Sequence, residues 1–263
     1  MIETNNGRFV WFELMTSDPK AAIPFYTEVI GWKSQPYADD AASGYTMWLG
    51  SQGPLGGVME LPEPARKMGA PPHWTSNVEV TDVDATVAKV RELGGNVFMG
   101  PTDMPKIGRF AVIADPQGAA INIFKPATDM SSHDNSKQGE FIWCELLTTD
   151  HEAGFRFYNT IFGWEKITEH DMGPMGKYLI YGRKGKPLGG MMTKSKEMPM
   201  PSSWIYYVQV ADLEGAVARA TKMGARLLHG PMDVPGGSRI AQLADPQGAV
   251  FALHSGVVGM PAS

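Results

Sequence analysis

The clearest structural signal in this chain is the stretch RFAVIADPQGAAINIF, residues 109–124. It reads as two β-strands joined by a tight turn. Asp115-Pro116-Gln117-Gly118 suits a type I turn, because Asp favours its first position, Pro its second and Gly its fourth. Alternating residues flank the turn, as a half-buried hairpin requires. The stretch recurs as RIAQLADPQGAVFALH, residues 239–254, which indicates that the chain contains one building block twice.

The duplication extends over almost the whole chain. GRFVWFELMTSD, which starts at Gly7, is matched by GEFIWCELLTTD from Gly139, and PFYTEVIGW from Pro24 by RFYNTIFGW from Arg156. Each copy reads as strand-helix-strand-strand-strand, twice. The residues between the copies are polar and lack periodicity, which is typical of a linker. The pattern therefore predicts a domain at 7–126, a linker at 127–138 and a second domain at 139–255.

Composition limits the class of protein. The chain has 263 residues, 43% of them hydrophobic and 19% charged, with a net charge of −5, which is typical of a globular protein. It has no Lys/Arg run, so neither a nucleic-acid nor a membrane partner is predicted. No apolar run nears the roughly 20 residues of a membrane span, and the polar start argues against a signal peptide. The single cysteine, Cys144, is predicted to be a buried free thiol in a cytoplasmic protein.

The motifs resemble the vicinal oxygen chelate superfamily, which includes glyoxalase I, extradiol dioxygenases, fosfomycin-resistance enzymes and bleomycin-binding proteins. The Phe-Tyr…Gly-Trp segments and the two DPQGA hairpins carry the resemblance. It implies an α+β fold of tandem glyoxalase-like domains, each built of two βαβββ modules that form a curved, partly open barrel. The two domains would pack as an intramolecular pseudo-dimer, in a chain that is a monomer or a homodimer.

The resemblance also implies where a divalent metal would bind. The three principal ligand positions fall at Trp11, Thr75 and Asn122 in the first copy, with a variable fourth position at Glu60. The second copy has Trp143, Ile205, Ala252 and Thr193 at these positions. No principal position carries His, Cys, Asp or Glu, whereas a divalent site needs three or four such ligands. We therefore predict no metal at the usual site, no other cofactor, and neither glyoxalase I nor extradiol dioxygenase activity.

The side chains of the pocket follow from the two-residue period of a strand. If Trp11 and Trp143 face the concave side, Glu13 and Glu145 do so as well. The same rule predicts further ligand-binding residues on the strands that open and close the second modules. They are Thr75, Asn77, Asn122, Tyr207, Gln209 and His254. The other five histidines are expected on the solvated surface, at His73, His133, His151, His170 and His229.

The register of the hairpins adds two arginines to this set. A two-residue loop would pair Arg109 with Phe124 and Arg239 with His254 on the concave side. Two interpretations of the repeated Glu and Arg remain open. They form an internal ion pair of the core, or they are catalytic: the glutamate acts as a base or acceptor, and the arginine anchors a ligand carboxylate or phosphate.

The leading functional hypothesis is a glyoxalase/bleomycin-resistance-like protein that binds or sequesters a small organic ligand without a metal. The first alternative is a lyase, isomerase or hydroxylase-like enzyme that uses the pocket Glu and Arg residues. The second alternative is a metal bound through non-standard ligands such as Glu13 or Glu60.

Overall fold

The structure is a computed structural model, and it describes residues 5–37, 44–198 and 200–257. The first copy contains strands β1 (Phe9–Thr16), β2 (Lys33–Pro36), β3 (Thr46–Gly50), β4 (Gly53–Glu60), β5 (His73–Glu79), β6 (Asn96–Met104), β7 (Gly108–Ala114) and β8 (Ala120–Pro126). Its helices are α1 (Pro19–Ile30), α2 (Glu63–Lys67) and α3 (Val83–Glu92). The short helix α2 lies in the connection between the two modules of this copy.

Within the described residues, the second copy repeats this order without a counterpart of α2. Its strands are β9 (Phe141–Thr148), β10 (Glu165–Asp171), β11 (Lys177–Arg183), β12 (Lys186–Thr193), β13 (Ser203–Gln209), β14 (Arg226–Val234), β15 (Ser238–Ala244) and β16 (Val250–Ser255). Its helices are α4 (His151–Phe162) and α5 (Leu213–Lys222), with a 3₁₀ turn at Gly173–Met175.

Each copy forms one eight-stranded mixed sheet, which confirms the predicted α+β class and the βαβββ modules. The strand order is β2-β3-β4-β1-β5-β8-β7-β6 in the first copy, and the second copy has the same order from β10 to β14. Strands β1 and β4 are parallel, as are β5 and β8, whereas the hairpin strands β7 and β8 are antiparallel. No helix in the described part of the chain is long and apolar enough to cross a membrane.

Helix α1 begins after Asp18 and ends at Gly31, two residue types that are typical of helix ends. The Asp18 side chain accepts a hydrogen bond of 3.0 Å from the backbone N–H of Ala21, which caps the first turn. Gly31 ends the helix with φ of 92°, a left-handed conformation that glycine adopts without steric cost. The apolar face of the helix buries Phe25 and Tyr26, the residues of the repeated Phe-Tyr motif.

The modules form two compact units in space, and these units do not coincide with the two copies of the sequence repeat. The first compact unit comprises Met1–Val10, Thr75–Ser132 and Trp143–Ile205. The second comprises Trp11–Trp74, His133–Ile142 and Tyr206–Ser263. Each unit thus combines one module of each copy. The boundaries predicted at 7–126 and 139–255 describe the repeat, and they stay a prediction as the limits of independently folding domains.

Each unit has its own aromatic core, and a tryptophan joins the two copies inside it. In the second unit the indole N–H of Trp32 donates to the backbone oxygen of Gly139, at 2.7 Å. In the first unit Trp164 donates in the same way to Gly7, also at 2.7 Å. Both tryptophans are almost fully buried, so these bonds satisfy polar groups that water does not reach. The repeated Gly-Trp motif therefore serves to link the copies.

Candidate functional site

The second unit contains a hydrogen-bonded cluster of Trp11, Tyr45 and Glu13. Trp11 and Glu13 alternate along β1 with the buried Phe12 and Leu14, so they lie on the opposite side of the strand. We call that side, away from the helix of the module, the open face. The Trp11 indole N–H donates to the Tyr45 oxygen at 2.7 Å, and the Tyr45 hydroxyl donates to Glu13 Oε1 at 3.1 Å. All three side chains are half-buried.

The first unit contains the same cluster from the second copy. Trp143 and Glu145 lie on β9, and Tyr178 is the second residue of β11. The Trp143 indole donates to the Tyr178 oxygen at 2.9 Å, and the Tyr178 hydroxyl donates to Glu145 Oε2 at 2.7 Å. We call these two sets the Trp–Tyr–Glu clusters. Their agreement shows that both copies give the glutamate the same hydrogen-bond donor.

A pair of glycines is repeated in the two copies, as Gly56-Gly57 and Gly189-Gly190, and it explains how the tyrosines fit. Gly57 pairs with Glu13 across β1 and β4, and a Cβ atom at Gly57 would overlap the hydroxyl end of the Tyr45 ring. Gly190 stands in the same relation to Tyr178. The neighbouring Gly56 allows a close approach to the backbone oxygen of Phe12. The pairs thus give close strand and ring contact, as expected from glycine in a strand interior.

The electrostatic environment keeps the Tyr45 phenol protonated. Burial, followed by the adjacent charge of Glu13, raises the pKa of Tyr45 well above its usual value of 10. At neutral pH the hydroxyl is therefore a donor, and the carboxylate of Glu13 is the acceptor that it supports. Sequence reasoning missed both tyrosines. They lie 133 positions apart, the same offset as Gly56 and Gly189, so the repeat contained the signal.

The second module of the second copy brings together several predicted residues in the second unit. The ring Nδ1 of His254 lies 2.6 Å from Gln209 Oε1, and Gln209 Nε2 donates to the Gly256 oxygen. Because the Gln209 oxygen must then accept, His254 carries its proton on Nδ1. Tyr207 accepts a bond of 2.7 Å from Gln242, another residue that sequence reasoning missed. Burial lowers the pKa of His254 to about 4, so its ring is neutral at pH 7.

The equivalent module of the first copy, in the first unit, places two asparagines side by side. Asn77 on β5 is paired with Asn122 on β8, and both side chains are buried together with Thr75. Glu79, at the end of β5, forms an ion pair of 2.9 Å with Arg8. The predicted residues Thr75, Asn77 and Asn122 therefore lie together on the open face of this module.

The predicted position of the two arginines is wrong. Arg109 pairs with Lys125 across the hairpin instead of Phe124, and Arg239 with Ser255 instead of His254. The turn contains one additional residue, Gly118, whose φ of 93° is left-handed. A type I turn followed by such a glycine makes a bulge, and the bulge moves every residue of one strand to the opposite face.

The arginines consequently pair with acids on and beside the helices. Arg109 binds Asp84 of α3 at 2.8 Å and Asp103 of β6 at 2.7 Å. Arg239 binds Glu214 of α5 and Asp233 of β14. The Arg109 side chain is 32% exposed, and its two partners are more exposed. The hydrogen bonds with Asp84 and Asp103 raise the pKa of Arg109 above its usual value. The predicted register was the reason for placing these arginines in the ligand pocket or in a core pair with Glu13 or Glu145. The observed register removes that reason.

Two further side chains bear on the sequence predictions. Cys144 is a buried free thiol, as predicted, and burial raises its pKa well above the usual value. A thiol in that environment stays protonated and unreactive. His151, in contrast, is not on the surface: it is 8% exposed at the first position of α4, so that prediction is wrong.

The comparisons with known proteins agree with this fold. The family model described as Glyoxalase/Bleomycin resistance protein/Dioxygenase superfamily matches residues 8–123 and 140–253. "Putative glyoxylase CFP32" of Mycobacterium tuberculosis (strain CDC 1551 / Oshkosh) is 32% identical over 258 residues, which cover 95% of each chain. "Anthracycline biosynthesis protein DnrV" of Streptomyces peucetius is 30% identical over 269 residues, covering 98% of this chain and 96% of that protein.

Solved structures share the fold at much lower identity. The 2,3-dioxygenase LapB from Pseudomonas sp. KL28 superimposes with a TM-score of 0.66 at 13% identity, over 99% of this chain and 96% of that one. The Mn(II)-bound glyoxalase from Novosphingobium aromaticivorans gives a TM-score of 0.63 at 14% identity, over 98% and 84% of the two chains. With both copies matched by one family model, the chain belongs to the Glyoxalase/Bleomycin resistance protein/Dioxygenase superfamily.

Proposed function

We propose that this protein binds a small organic ligand on the open faces of its modules, without the divalent metal that is usual in its superfamily. The observation that carries the proposal is the Trp–Tyr–Glu cluster, which occurs in both copies with the same donors and acceptors. Each cluster requires a glycine that leaves room for the tyrosine ring. A side-chain set kept in this form on a half-buried face suits ligand recognition.

The chemistry of the cluster favours a flat aromatic ligand with hydroxyl or amine groups. The Trp and Tyr rings provide a rigid apolar surface on which another ring can stack. The glutamate provides an acceptor for a ligand O–H or N–H, and a hydrogen bond to a charged acceptor is stronger than a neutral one. Two relatives are named for anthracycline biosynthesis, which points to ligands with fused rings.

The residues at the superfamily's metal positions do not fit a metal. The indole of Trp11 offers only a donor N–H, and that N–H is already bound to Tyr45. Ala252 and Ile205 carry no side-chain ligand atom, and Asn122 is a neutral amide. Divalent metals of this class prefer imidazole, thiolate and carboxylate ligands. We therefore propose that neither copy holds the metal at its usual position.

The open face of the second copy supports a neutral, hydrogen-bonding ligand. Tyr207, Gln209, Gln242 and His254 place neutral donors and acceptors on one module, and the lowered pKa of His254 keeps its ring uncharged. The first copy has Asn77 and Asn122 on the corresponding module. The two copies thus differ in ligand preference, and we expect each to bind a small molecule of a different shape.

An enzyme is the second candidate, since glyoxylase and biosynthesis both appear in the names of relatives. Glu13 and Glu145 would act as bases in a lyase, isomerase or hydroxylase-like reaction, and Tyr45 and Tyr178 would hold their carboxylates in position. The arginines take no part in this version.

Calorimetric titration with a panel of hydroxylated fused-ring compounds, in buffer containing EDTA, tests the proposal. We expect binding that EDTA does not change. Glu13→Gln and Glu145→Gln should each remove binding in one copy, and the double variant should weaken total binding by at least about tenfold, or 1.4 kcal/mol. Mass spectrometry of the incubated ligands shows whether any is converted, which would select the enzyme.

The matched control is Glu28→Gln, an exposed glutamate on α1 that should leave binding unchanged. Thermal unfolding should show that all variants remain folded, because glutamine retains an oxygen that accepts from the tyrosine. Binding that requires an added metal, or a double variant that binds like the unchanged protein, would refute the proposal.

A further inference from the structure

We propose a site for one first-row divalent transition-metal ion, such as Zn²⁺, formed by His151, Glu152 and Glu169. Their potential ligand atoms all lie within 4.8 Å of one another. His151 and Glu152 begin α4, and Glu169 lies on β10, so none of the three residues occupies one of the superfamily's metal positions, although His151 contacts Thr193 at the variable fourth position. None of the three belongs to the Trp–Tyr–Glu clusters proposed above to bind a ligand.

The ring of His151 is the observation that points to a ligand. The side chain is 92% buried, and its Nδ1 lies 2.8 Å from Thr193 Oγ1. Its Nε2 is buried and has no hydrogen-bond partner among the residues that the structure describes. A buried polar atom without a partner destabilises the folded protein. In the tautomer whose Nδ1–H donates to Thr193 Oγ1, Nε2 carries a lone pair, which is the state that binds a metal.

The carboxylates have ordinary explanations that do not extend to the histidine. Glu152 lies in the first turn of α4, where a negative charge interacts favourably with the helix dipole. Glu169 binds Lys166 at 2.8 Å and Lys177 at 3.0 Å, and these contacts lower its pKa to about 2. Neither interaction gives His151 Nε2 a partner, whereas a metal ion held by all three residues would.

The lysines do not prevent metal binding. The ammonium groups of Lys166 and Lys177 are exposed, so water can solvate the one that a metal ion displaces from Glu169. One imidazole with two carboxylates favours Zn²⁺ or a similar ion over Mg²⁺ and Ca²⁺, which prefer oxygen ligands alone.

The stoichiometry follows from the repeat. Counting back 132 positions, the offset of Trp143 from Trp11, His151 corresponds to Pro19 and Glu152 to Lys20. The first copy therefore lacks two of the three ligands. We expect one ion per chain, bound by the second copy only.

Titration of the full chain with ZnCl₂ in a calorimeter tests the site, with MgCl₂ as a second titrant. We expect one Zn²⁺ per chain and no comparable binding of Mg²⁺. Glu169→Gln should weaken Zn²⁺ binding by at least about tenfold. The control Glu165→Gln, which changes an exposed glutamate of the same strand, should bind Zn²⁺ like the unchanged protein. Glutamine has nearly the same shape as glutamate, so both variants should fold, and thermal unfolding checks this.

Two further variants separate coordination from general charge attraction. Lys177→Met removes a competing ammonium group and should tighten Zn²⁺ binding. Thr193→Val removes the partner that orients His151 and should weaken binding by about 10–100-fold. Equal Zn²⁺ affinity in Glu169→Gln and the unchanged protein, or no Zn²⁺ binding at all, would overturn the proposal. Ligand binding at the Trp–Tyr–Glu clusters should be the same in all these variants.

Discussion

The phenol of Tyr26 donates a hydrogen bond of 2.9 Å to the carboxylate of Asp245, which lies 219 positions later in the chain. Trp74 donates to the same phenol oxygen at 2.9 Å. The other carboxylate oxygen of Asp245 accepts the backbone N–H groups of Gln247 and Ala249, and so shapes the DPQG turn. One aspartate therefore closes its own turn and binds the Phe-Tyr motif of the other copy.

The first unit contains the mirror arrangement. Tyr158 donates to Asp115 at 3.2 Å, and Trp204 donates to Tyr158 at 3.3 Å. Burial raises the pKa of both aspartates, while the hydrogen bonds that they accept act in the opposite direction. The two motifs that mark the repeat in the sequence are thus two parts of one buried network.

Tyr26→Phe should lower the free energy of unfolding by about 1–3 kcal/mol, because it removes buried hydrogen bonds from Oδ2 of Asp245 and from the Trp74 N–H. Tyr158→Phe should have a similar effect in the first unit. Urea unfolding followed by tryptophan fluorescence measures both. The control is Tyr37→Phe at a half-buried position, where we expect a change below about 0.5 kcal/mol. Equal midpoints for all three variants would contradict the role given to the network.

Gly57→Ala should disrupt the cluster of Trp11, Tyr45 and Glu13, because the new Cβ overlaps the tyrosine ring. We expect a change in near-ultraviolet circular dichroism and a loss of ligand binding in the first copy. Gly190→Ala should do the same in the second copy through Tyr178. Gly100→Ala is the matched control, since a Cβ there meets nothing within 4 Å. If Gly57→Ala bound ligand and gave the same spectrum as Gly100→Ala, the glycine would have another role.

Acidification should destabilise the protein through His254. The pKa of this histidine is lowered to about 4 in the folded protein, against 6.5 for an ordinary histidine. Between these pH values the unfolded chain binds a proton that the folded chain does not, so stability is complete above pH 6.5 and falls as the pH decreases towards 4. The slope from this residue is at most about 1.4 kcal/mol per pH unit.

His254→Phe, which copies Phe124 of the first copy, isolates that contribution. The difference in unfolding free energy between the variant and the unchanged protein should vary with pH between 6.5 and 4. Guanidinium unfolding at several pH values measures it. A constant difference across this range would mean that His254 titrates normally in the folded protein.

Much of the fold was predictable because local patterns determined it. The caps Asp18 and Gly31, the DPQG turn and the duplicated strand patterns all led to the observed elements. The arginines were misplaced because a single left-handed glycine, Gly118, adds a bulge that no alternation pattern reveals. A two-residue period carries any error of register to every side chain of the strand.

The candidate site was predictable only in part, because hydrogen bonds between strands depend on the register that tertiary packing sets. Trp11 and Glu13 follow from alternation along β1, whereas Tyr45 joins them from β3's side of the sheet through contact with Gly57. The burial of His151 was missed for the same reason: its environment comes from Thr193, 42 positions away. Each compact unit combines modules from both copies, and no local sequence pattern indicates that combination.

Cleavage of the linker should not separate the two copies. Each compact unit contains one module of each copy, and bonds such as Tyr26 to Asp245 and Tyr158 to Asp115 join the copies inside the units. We expect limited proteolysis to cut first within residues 128–138, since exposed polar connectors are the usual sites of cleavage. The two fragments should then elute together in size-exclusion chromatography and separate only in denaturant. Residues 7–126 and 139–255 expressed separately should each expose apolar surface and aggregate, whereas co-expression should restore a soluble complex. Separate fragments that fold and stay monomeric would show instead that each copy closes its own core.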